Sequence, residues 1–149
     1  FSTDVIRKQL SGVRPFDRLG QESYSSEMTR SVYAMALSLA DGALRLGMPA
    51  ILDGTYSQRE QRQAVYELAR THDVPLLVIE CRAPQEVIED RQRRRPSEPW
   101  RVSDATYEVY LRQKSAADPV DDAPPGTHVI IDTNTPISET LSLLLSRFH

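Results

Sequence analysis

The 149 residues carry a net charge of -3 at pH 7 and are 40% hydrophobic, which fits one globular domain and argues against an intrinsically disordered chain. The acidic balance does not favour general binding to nucleic acid or to a membrane surface, and one cysteine excludes a disulfide framework. Because no stretch approaches the roughly 20 apolar residues of a membrane span, and no signal-peptide pattern is present, we expect a cytoplasmic protein without a membrane partner.

The first half of the chain is predicted to be mainly helical. The opening stretch, FSTDVIRKQL, has the pattern of a strand end that leads into a charged helix start. Apolar residues at three- and four-residue spacing predict a long helix over residues 25–47. Ser57 and Glu60 form a capping-box pattern, which predicts a second helix over residues 57–73.

Apolar runs and further helical patterns alternate along the rest of the chain. The runs predicted as strands are MPAILD at 48–53, LLVIEC at 76–81 and HVIID at 128–132. The remaining predicted helices cover 84–96, 103–114 and 136–148. Nearly uninterrupted apolar runs are typical of strands covered on both faces, so we expect Cys81 to be a small core residue. Alternation of buried strands with helices predicts an α/β fold with a parallel sheet.

Ligands of such sheets bind beyond the carboxyl ends of the strands, so those ends hold the candidate site residues. At the first end, Asp4 lies on a helix's first turn with Arg7 one turn later, an arrangement that can accept a proton from a hydroxyl group and hold a neighbouring oxygen. The alternative is ordinary charge compensation at a helix N-terminus. At the second end, Asp53 suits a magnesium ion shared with phosphates, or else belongs to an Asp-Gly turn of a hairpin.

The third strand end leads into an arginine-rich helix. Arg91 and Arg95 are four residues apart and share one helix face, where they either neutralise charge on a phosphoryl group or form a solvated surface. Prolines and Trp100 follow directly and predict a mobile flap. The polar loop at 132–135 after the fourth strand either contacts a ligand's base or caps the last helix.

Five segments taken in order resemble the AAA-domain predicted kinases of the P-loop class, relatives of gluconate kinase, zeta toxins and polynucleotide 5′-hydroxyl kinase. The segments are FSTDVIRKQL, ESYSSEMTRSVYAMA, AILDGTY, VIECRAPQEVIEDRQRRR and VSDATYEVYLRQK. The resemblance implies a three-layer P-loop NTPase fold of the nucleoside-monophosphate-kinase type, with helices on both faces of the parallel sheet. It also implies a single domain over 1–149 with a lid-like segment at 91–102.

The same resemblance implies a role for each acceptor-side and metal-side residue. Asp4 is the base that takes the proton of the acceptor hydroxyl, and Arg7 binds the acceptor. Asp53 occupies the Walker B position near Mg²⁺, and Thr55 lies on the acceptor side. The cofactors implied are ATP and Mg²⁺.

On the nucleotide side, the resemblance implies two lid arginines that hold the transferring phosphoryl group, Arg91 and Arg95. Arg101 is a further lid contact to the substrate. The loop from Thr133 to Pro136 lies beside adenine, so that Arg91, Thr133 and Pro136 form the nucleotide-binding set.

These residues imply an ATP-dependent phosphotransferase that acts on a hydroxyl group of a small polar molecule. Two alternatives stay open: a polynucleotide 5′-hydroxyl kinase, and a non-catalytic, degenerate kinase domain that binds or regulates a partner. The sequence departs from the P-loop class in one respect, because none of its six glycines is followed by lysine, so it lacks the G-x-x-x-x-G-K-[ST] phosphate loop. We therefore expect an upstream segment with the first strand, the P-loop and the first helix, inactivity of this fragment without it, and in some relatives a fused upstream domain.

Overall fold

The computed structural model describes residues 1–94 and 106–145. Two β-strands are present there, β1 at Val78–Arg82 and β2 at His128–Asp132. A short 3₁₀ turn covers Gln21–Tyr24. The α-helices are α1 at Thr3–Leu10, α2 at Ser26–Arg45, α3 at Arg59–Thr71, α4 at Gln85–Arg94, α5 at Tyr107–Ser115 and α6 at Ile137–Leu145. None of the helices in the described ranges is long and apolar enough to cross a membrane.

The two strands confirm a parallel α/β arrangement. β1 and β2 pair in parallel, in a register that begins at Val78 with His128 and ends at Arg82 with Asp132. The connection between them contains α4 and α5, as expected for a crossover between parallel strands. Within the described residues the sheet has two strands, so it is smaller than the sheet of the predicted three-layer fold.

A second parallel contact joins the first residues of the chain to residues 51–53. The Thr3 N–H donates to the Asp53 carbonyl oxygen at 2.8 Å, and the Asp53 N–H donates to the Phe1 carbonyl oxygen at 2.9 Å. This contact is an isolated bridge between Ser2 and Asp53 rather than the strand predicted over 48–53. The pairing ends there because α1 begins at Thr3, so the following backbone groups bond within the helix.

Helix α2 is confirmed by its cap and by its packing. The Ser25 Oγ accepts a hydrogen bond from the Met28 N–H at 3.2 Å, which is an N-cap contact. Gly47, just beyond the helix, has a φ of 71°, which glycine adopts without strain. The buried face of α2 packs on α1, where Val32 and Ala36 contact Ile6 in the core.

The start of α3 lies one residue later than its capping pattern predicted. The Gln58 N–H donates to the Gln61 Oε1 at 3.3 Å, so these residues take the places expected for Ser57 and Glu60. The shift has a tertiary cause, because the Ser57 carbonyl oxygen accepts a hydrogen bond from the Asp118 N–H at 2.8 Å.

The later helices agree with the predicted ones at the ends that the structure describes. The side chain of Thr106 caps α5 through a hydrogen bond from the Val109 N–H to its Oγ1 at 3.3 Å. The predicted start of this helix at Ser103 lies outside the described residues. β2 has the bounds that its apolar run predicted, and α6 begins one residue after the predicted start.

The expectation that both strands are covered on both faces is wrong for the described part of the chain. Val129 is buried, but Ile79 is 43% and Ile130 is 47% exposed. Cys81 is exposed, not a core residue. An apolar run shows that the residues of a strand are hydrophobic. It does not show whether other elements pack on both faces of that strand, and the exposure of its side chains depends on that packing.

A buried ion pair fixes the loop before β2 to helix α3. The Arg62 Nε donates to the Asp122 Oδ1 at 2.9 Å, and the two side chains are only 4% and 2% exposed. The Arg62 Nη2 also donates to the Pro119 carbonyl oxygen at 2.8 Å. Burial alone would raise the pKa of Asp122, but hydrogen bonds from Arg62 and the backbone outweigh it and hold that pKa below its usual value.

Removal of the Arg62 charge is expected to destabilise the fold strongly. Arg62→Met leaves the Asp122 carboxylate buried without its partner, which lowers the free energy of unfolding by about 3–5 kcal/mol. The matched control is Arg59→Met, because the Arg59–Asp121 pair is 46% and 63% exposed; its effect is expected to stay within about 1 kcal/mol. Urea unfolding of the full chain measures both, and equal effects would contradict a structural role for the buried pair.

The same pair is expected to make stability depend on acid pH. The pKa of Asp122 is lower in the folded than in the unfolded chain, so its contribution is complete above the usual value of 3.8 and is lost as the pH falls through the folded value. The stability difference between the wild type and Arg62→Met should therefore shrink on acidification. Urea midpoints from about pH 5 to about pH 2 test this, and a constant difference would contradict it.

Candidate functional site

The structure brings the first two predicted strand ends together. Thr3 and Asp53 are joined by a backbone hydrogen bond, and Asp4 is the next residue, on the first turn of α1. Gly54 fits closely against this helix start, because a Cβ atom there would lie 2.7 Å from both Cγ2 and Oγ1 of Thr3. Asp4 and Asp53 thus lie on adjoining backbone segments, as the strand-end argument predicted for a shared site.

The third strand end includes the thiol of Cys81 on β1. Partial burial raises the pKa of this thiol, and the negative charge of Asp53 raises it further. A common site of the second and third strand ends stays a prediction.

Residues 53–56, which we call the 53–56 turn, include the predicted acceptor-side residue Thr55. Thr55 is exposed, and its Oγ1 lies 3.0 Å from the hydroxyl oxygen of Tyr33 on α2. The Tyr56 N–H donates to the same Tyr33 oxygen at 3.3 Å. The rings of Tyr33 and Tyr56 meet edge to face, with centroids 5.0 Å apart and planes at 81°.

Tyr56 has an unusual backbone conformation and an unusual side-chain environment. Its φ is 40°, a left-handed value that is costly for a residue with a large side chain. Burial, with smaller contributions from Tyr33 and the charge of Asp53, raises the pKa of its phenol to about 12. The phenol is therefore neutral at physiological pH, and its oxygen is buried without a hydrogen-bond partner among the described residues.

Arg7 is held inside the protein instead of standing free at the helix start. The residue is 8% exposed, and its Nη1 donates to the Ser23 carbonyl oxygen at 2.8 Å and, at 3.4 Å, to the Thr29 Oγ1. Its guanidinium carbon lies 5.2 Å from the centre of the Tyr24 ring. These contacts anchor the 3₁₀ turn to α1, and acceptor binding by Arg7 stays a prediction.

The structure joins two of the residues predicted for the nucleotide side. The exposed Arg91 donates from Nη1 to the Thr133 Oγ1 and from Nη2 to the Thr133 carbonyl oxygen, both at 2.7 Å. Thr133 is itself bound to the end of β1, through a 2.8 Å hydrogen bond from its N–H to the Arg82 carbonyl oxygen. The last turn of α4, the end of β1 and the loop after β2 are thus joined by hydrogen bonds.

The loop after β2 is ordered by its own hydrogen bonds. The Asn134 N–H donates to the Asp132 Oδ1 at 2.8 Å, which is a turn within the loop, and the Pro136 carbonyl oxygen accepts from the Glu139 N–H at 3.1 Å in the first turn of α6. Capping of α6 by this loop and contact with adenine both stay predictions. Arg95, Arg101 and most of the lid-like segment at 91–102 lie outside the described residues.

The donor set fits a magnesium ion that is shared with a phosphate ligand. The described residues contain no group of three or more His, Cys, Asp or Glu residues that could hold a metal by itself. Mg²⁺, however, is commonly bound through one or two carboxylates together with substrate phosphates and water. The exposed carboxylate of Asp53 meets that requirement, so any Mg²⁺ here would depend on a bound nucleotide.

Sequence reasoning missed Tyr56 in the 53–56 turn and the two residues that bind it, Tyr33 and Arg62. The Arg62 Nη1 donates to the Tyr56 carbonyl oxygen at 3.0 Å, so the turn contacts both α2 and α3. One signal for Arg62 was present, because the acidic stretch DPVDD complements the two arginines at the start of α3. The sequence contained no such signal for Tyr33, because α2 was predicted from the spacing of its apolar residues and Tyr33 is not one of them.

Gly54→Ala is expected to disturb the junction between α1 and the 53–56 turn. The added methyl group would overlap the buried, β-branched side chain of Thr3, which has little room to move, so the free energy of unfolding should fall by about 1–3 kcal/mol. Gly42→Ala is the matched control, because a Cβ there meets nothing within 4 Å in helix α2, where alanine is favoured. Urea unfolding that shows no loss for Gly54→Ala would contradict the observed packing.

Comparison with known proteins shows the family and the fold of this chain. A search of the curated proteins found no match. A sugar kinase from Janibacter sp. HTCC2649, solved in unliganded form, superposes with a TM-score of 0.62 and 14% identity, over 99% of this chain and 78% of that chain. At that identity the likeness shows the fold alone. A family profile described as an AAA domain matches residues 1–120, most of the sequence, and the chain therefore belongs to the AAA-domain family.

Proposed function

We propose that this domain is part of an ATP-dependent phosphotransferase, which moves the γ-phosphoryl group of ATP to a hydroxyl group of a small polar molecule. One observation carries the proposal: the backbone hydrogen bond between Thr3 and Asp53, which sets Asp4 and the 53–56 turn side by side. This backbone contact supports a shared site for the proposed base Asp4, the proposed metal ligand Asp53 and the proposed acceptor-side residue Thr55. The AAA-domain family and the fold of a sugar kinase support the same class of reaction.

On the acceptor side, the proposed reaction uses Asp4 and Thr55. The acceptor's hydroxyl oxygen forms a bond to the γ-phosphorus while the bond from that phosphorus to the β,γ-bridging oxygen breaks, and ADP leaves. The proton of the acceptor passes to the Asp4 carboxylate. Thr55 orients the acceptor, with Arg7 as a further acceptor contact. In such reactions most of the rate enhancement comes from positioning and charge neutralisation.

On the nucleotide side, Asp53 would hold Mg²⁺, which when bound neutralises phosphate charge. Arg91 would hold the transferring phosphoryl group, and Thr133 and Pro136 would lie beside the base. The contact between Arg91 and Thr133 supports their assignment to one nucleotide-binding unit. Arg95 and Arg101 complete the proposed lid.

The phosphate-binding loop is proposed to come from a segment outside the 149 residues, because these contain no glycine followed by lysine. Backbone amide groups of such a loop, with its lysine, hold the β- and γ-phosphates in the P-loop class. The full chain is therefore the material for every kinetic test, and its intact mass and sequence show whether the loop is present. A fused upstream domain is a further part of this proposal.

Asp4→Asn is expected to lower kcat by about 10²–10⁴-fold, because the amide cannot accept the acceptor's proton. Binding of Mg-ATP, measured by calorimetry, should change little, whereas Asp53→Ala should weaken it strongly. Phosphorylation is measured as ATP turnover by the full chain with a panel of sugars and other small polyols. Glu67→Gln on α3 is the matched control, since Glu67 is an exposed carboxylate paired with Arg70.

The panel also separates the alternatives. Activity confined to 5′-hydroxyl oligonucleotides would identify a polynucleotide kinase and overturn the small-molecule acceptor. Full activity of Asp4→Asn would contradict the assignment of the base. If the full chain binds no Mg-ATP and phosphorylates no acceptor, the phosphotransferase proposal fails, and a non-catalytic binding domain replaces it.

A further inference from the structure

We propose that Tyr33 is a positioning residue, whose hydroxyl group holds the 53–56 turn in the conformation that presents Thr55 to the acceptor. The role of the turn in presenting Thr55 to the acceptor rests on the proposed function. The hydrogen bonds between Tyr33 and the turn do not depend on that function. Tyr33 lies on α2, a long capped helix that packs against the core, so its hydroxyl group has a fixed position.

The hydrogen bonds around Tyr33 allow its hydroxyl group to donate to Thr55. The Tyr33 oxygen accepts from the Tyr56 N–H at 3.3 Å and lies 3.0 Å from the Thr55 Oγ1. A phenol has one proton and two acceptor sites, so Tyr33 can donate to Thr55 while it accepts from Tyr56. In that arrangement the proton of the Thr55 hydroxyl group points away from Tyr33 and is available to an oxygen of the acceptor.

The turn needs such external support. Tyr56 has a φ of 40°, and strained residues of this kind persist only where the surroundings over-determine them. Its N–H is bound by Tyr33, its carbonyl oxygen accepts from the Arg62 Nη1 at 3.0 Å, and its ring meets the Tyr33 ring edge to face. Tyr33 on α2 and Arg62 on α3 therefore bind the two peptide units on either side of the Tyr56 Cα.

Of these two residues, Tyr33 contacts the proposed acceptor-side residue, Thr55, directly. Within the turn, Arg62 donates to the Tyr56 carbonyl oxygen, and it also binds Asp122 and Pro119. Loss of Arg62 therefore disturbs the whole loop before β2, whereas loss of the Tyr33 hydroxyl group removes two defined hydrogen bonds and leaves the ring contact in place. This difference makes Tyr33 the position at which the orientation of Thr55 can be changed selectively.

The test is Tyr33→Phe in the full chain, with sugars and other small polyols as acceptors. We expect kcat/KM for the acceptor to fall about tenfold, as for the loss of one neutral hydrogen bond, while KM for ATP and the urea midpoint change little. Thr55→Val should cause at least as large a fall, and the double variant should be no more impaired than Thr55→Val alone, because the Tyr33 hydroxyl group is proposed to act on the acceptor through Thr55.

A second readout does not depend on activity. Backbone amide exchange at Tyr56, measured by NMR, should become about tenfold faster in Tyr33→Phe, since the amide loses its acceptor. Exchange within α1 and α2 should stay unchanged. Tyr110→Phe is the matched control: it removes the same group from a ring that stacks on Tyr107, and it should leave both readouts unchanged.

The outcomes separate this inference from the proposed function. Unchanged Tyr56 exchange in Tyr33→Phe overturns the inference, whatever the activity. Faster exchange with unaltered acceptor kinetics in an active enzyme also overturns it. If the wild-type chain phosphorylates none of the acceptors, the proposed function fails, while faster exchange at Tyr56 still supports the hold of Tyr33 on the turn.

Discussion

The hydrogen bond from the Thr3 N–H to the Asp53 carbonyl oxygen is the contact on which the candidate site depends. It joins the start of α1 to a segment about fifty residues later, and so brings the backbone of Asp53 next to the residue that precedes Asp4. The apolar contact between Ile6 and the buried face of α2 keeps α1 in place. Packing that is remote from any chemistry therefore decides where the proposed base and the proposed metal ligand meet.

Two different kinds of interaction support the acceptor side of this junction. Tyr33 acts through neutral hydrogen bonds and a ring contact, whereas Arg62 acts through a buried charge whose partner is Asp122. Neutral hydrogen bonds are weakly sensitive to pH and salt, while a buried ion pair is strongly destabilising when one partner is lost. Tyr33 thus supports the local conformation of the turn, whereas Arg62 supports the stability of the whole domain.

The sequence predicted those features that local patterns determine. Helix α2 follows from its periodicity and its serine cap, and β2 from a short apolar run, because both depend on neighbouring residues. The cap of α3 shifted by one residue because Ser57 bonds to a distant loop. The strand ends predicted Asp4 and Asp53 as site residues, but sequence reasoning missed Tyr33 and Arg62, whose partners lie 22 and 60 residues away.

That separation of 60 residues also bears on the order in which the domain folds. The bond between Arg62 and Asp122 closes a long loop, and this closure has an entropic cost. Contacts within α2 or α3 close only short loops and have a smaller cost. Helices form in about a microsecond, whereas contacts of high sequence separation form late. The loop that carries Asp122 should therefore dock on α3 near the end of folding, and the 53–56 turn should gain its final conformation only then.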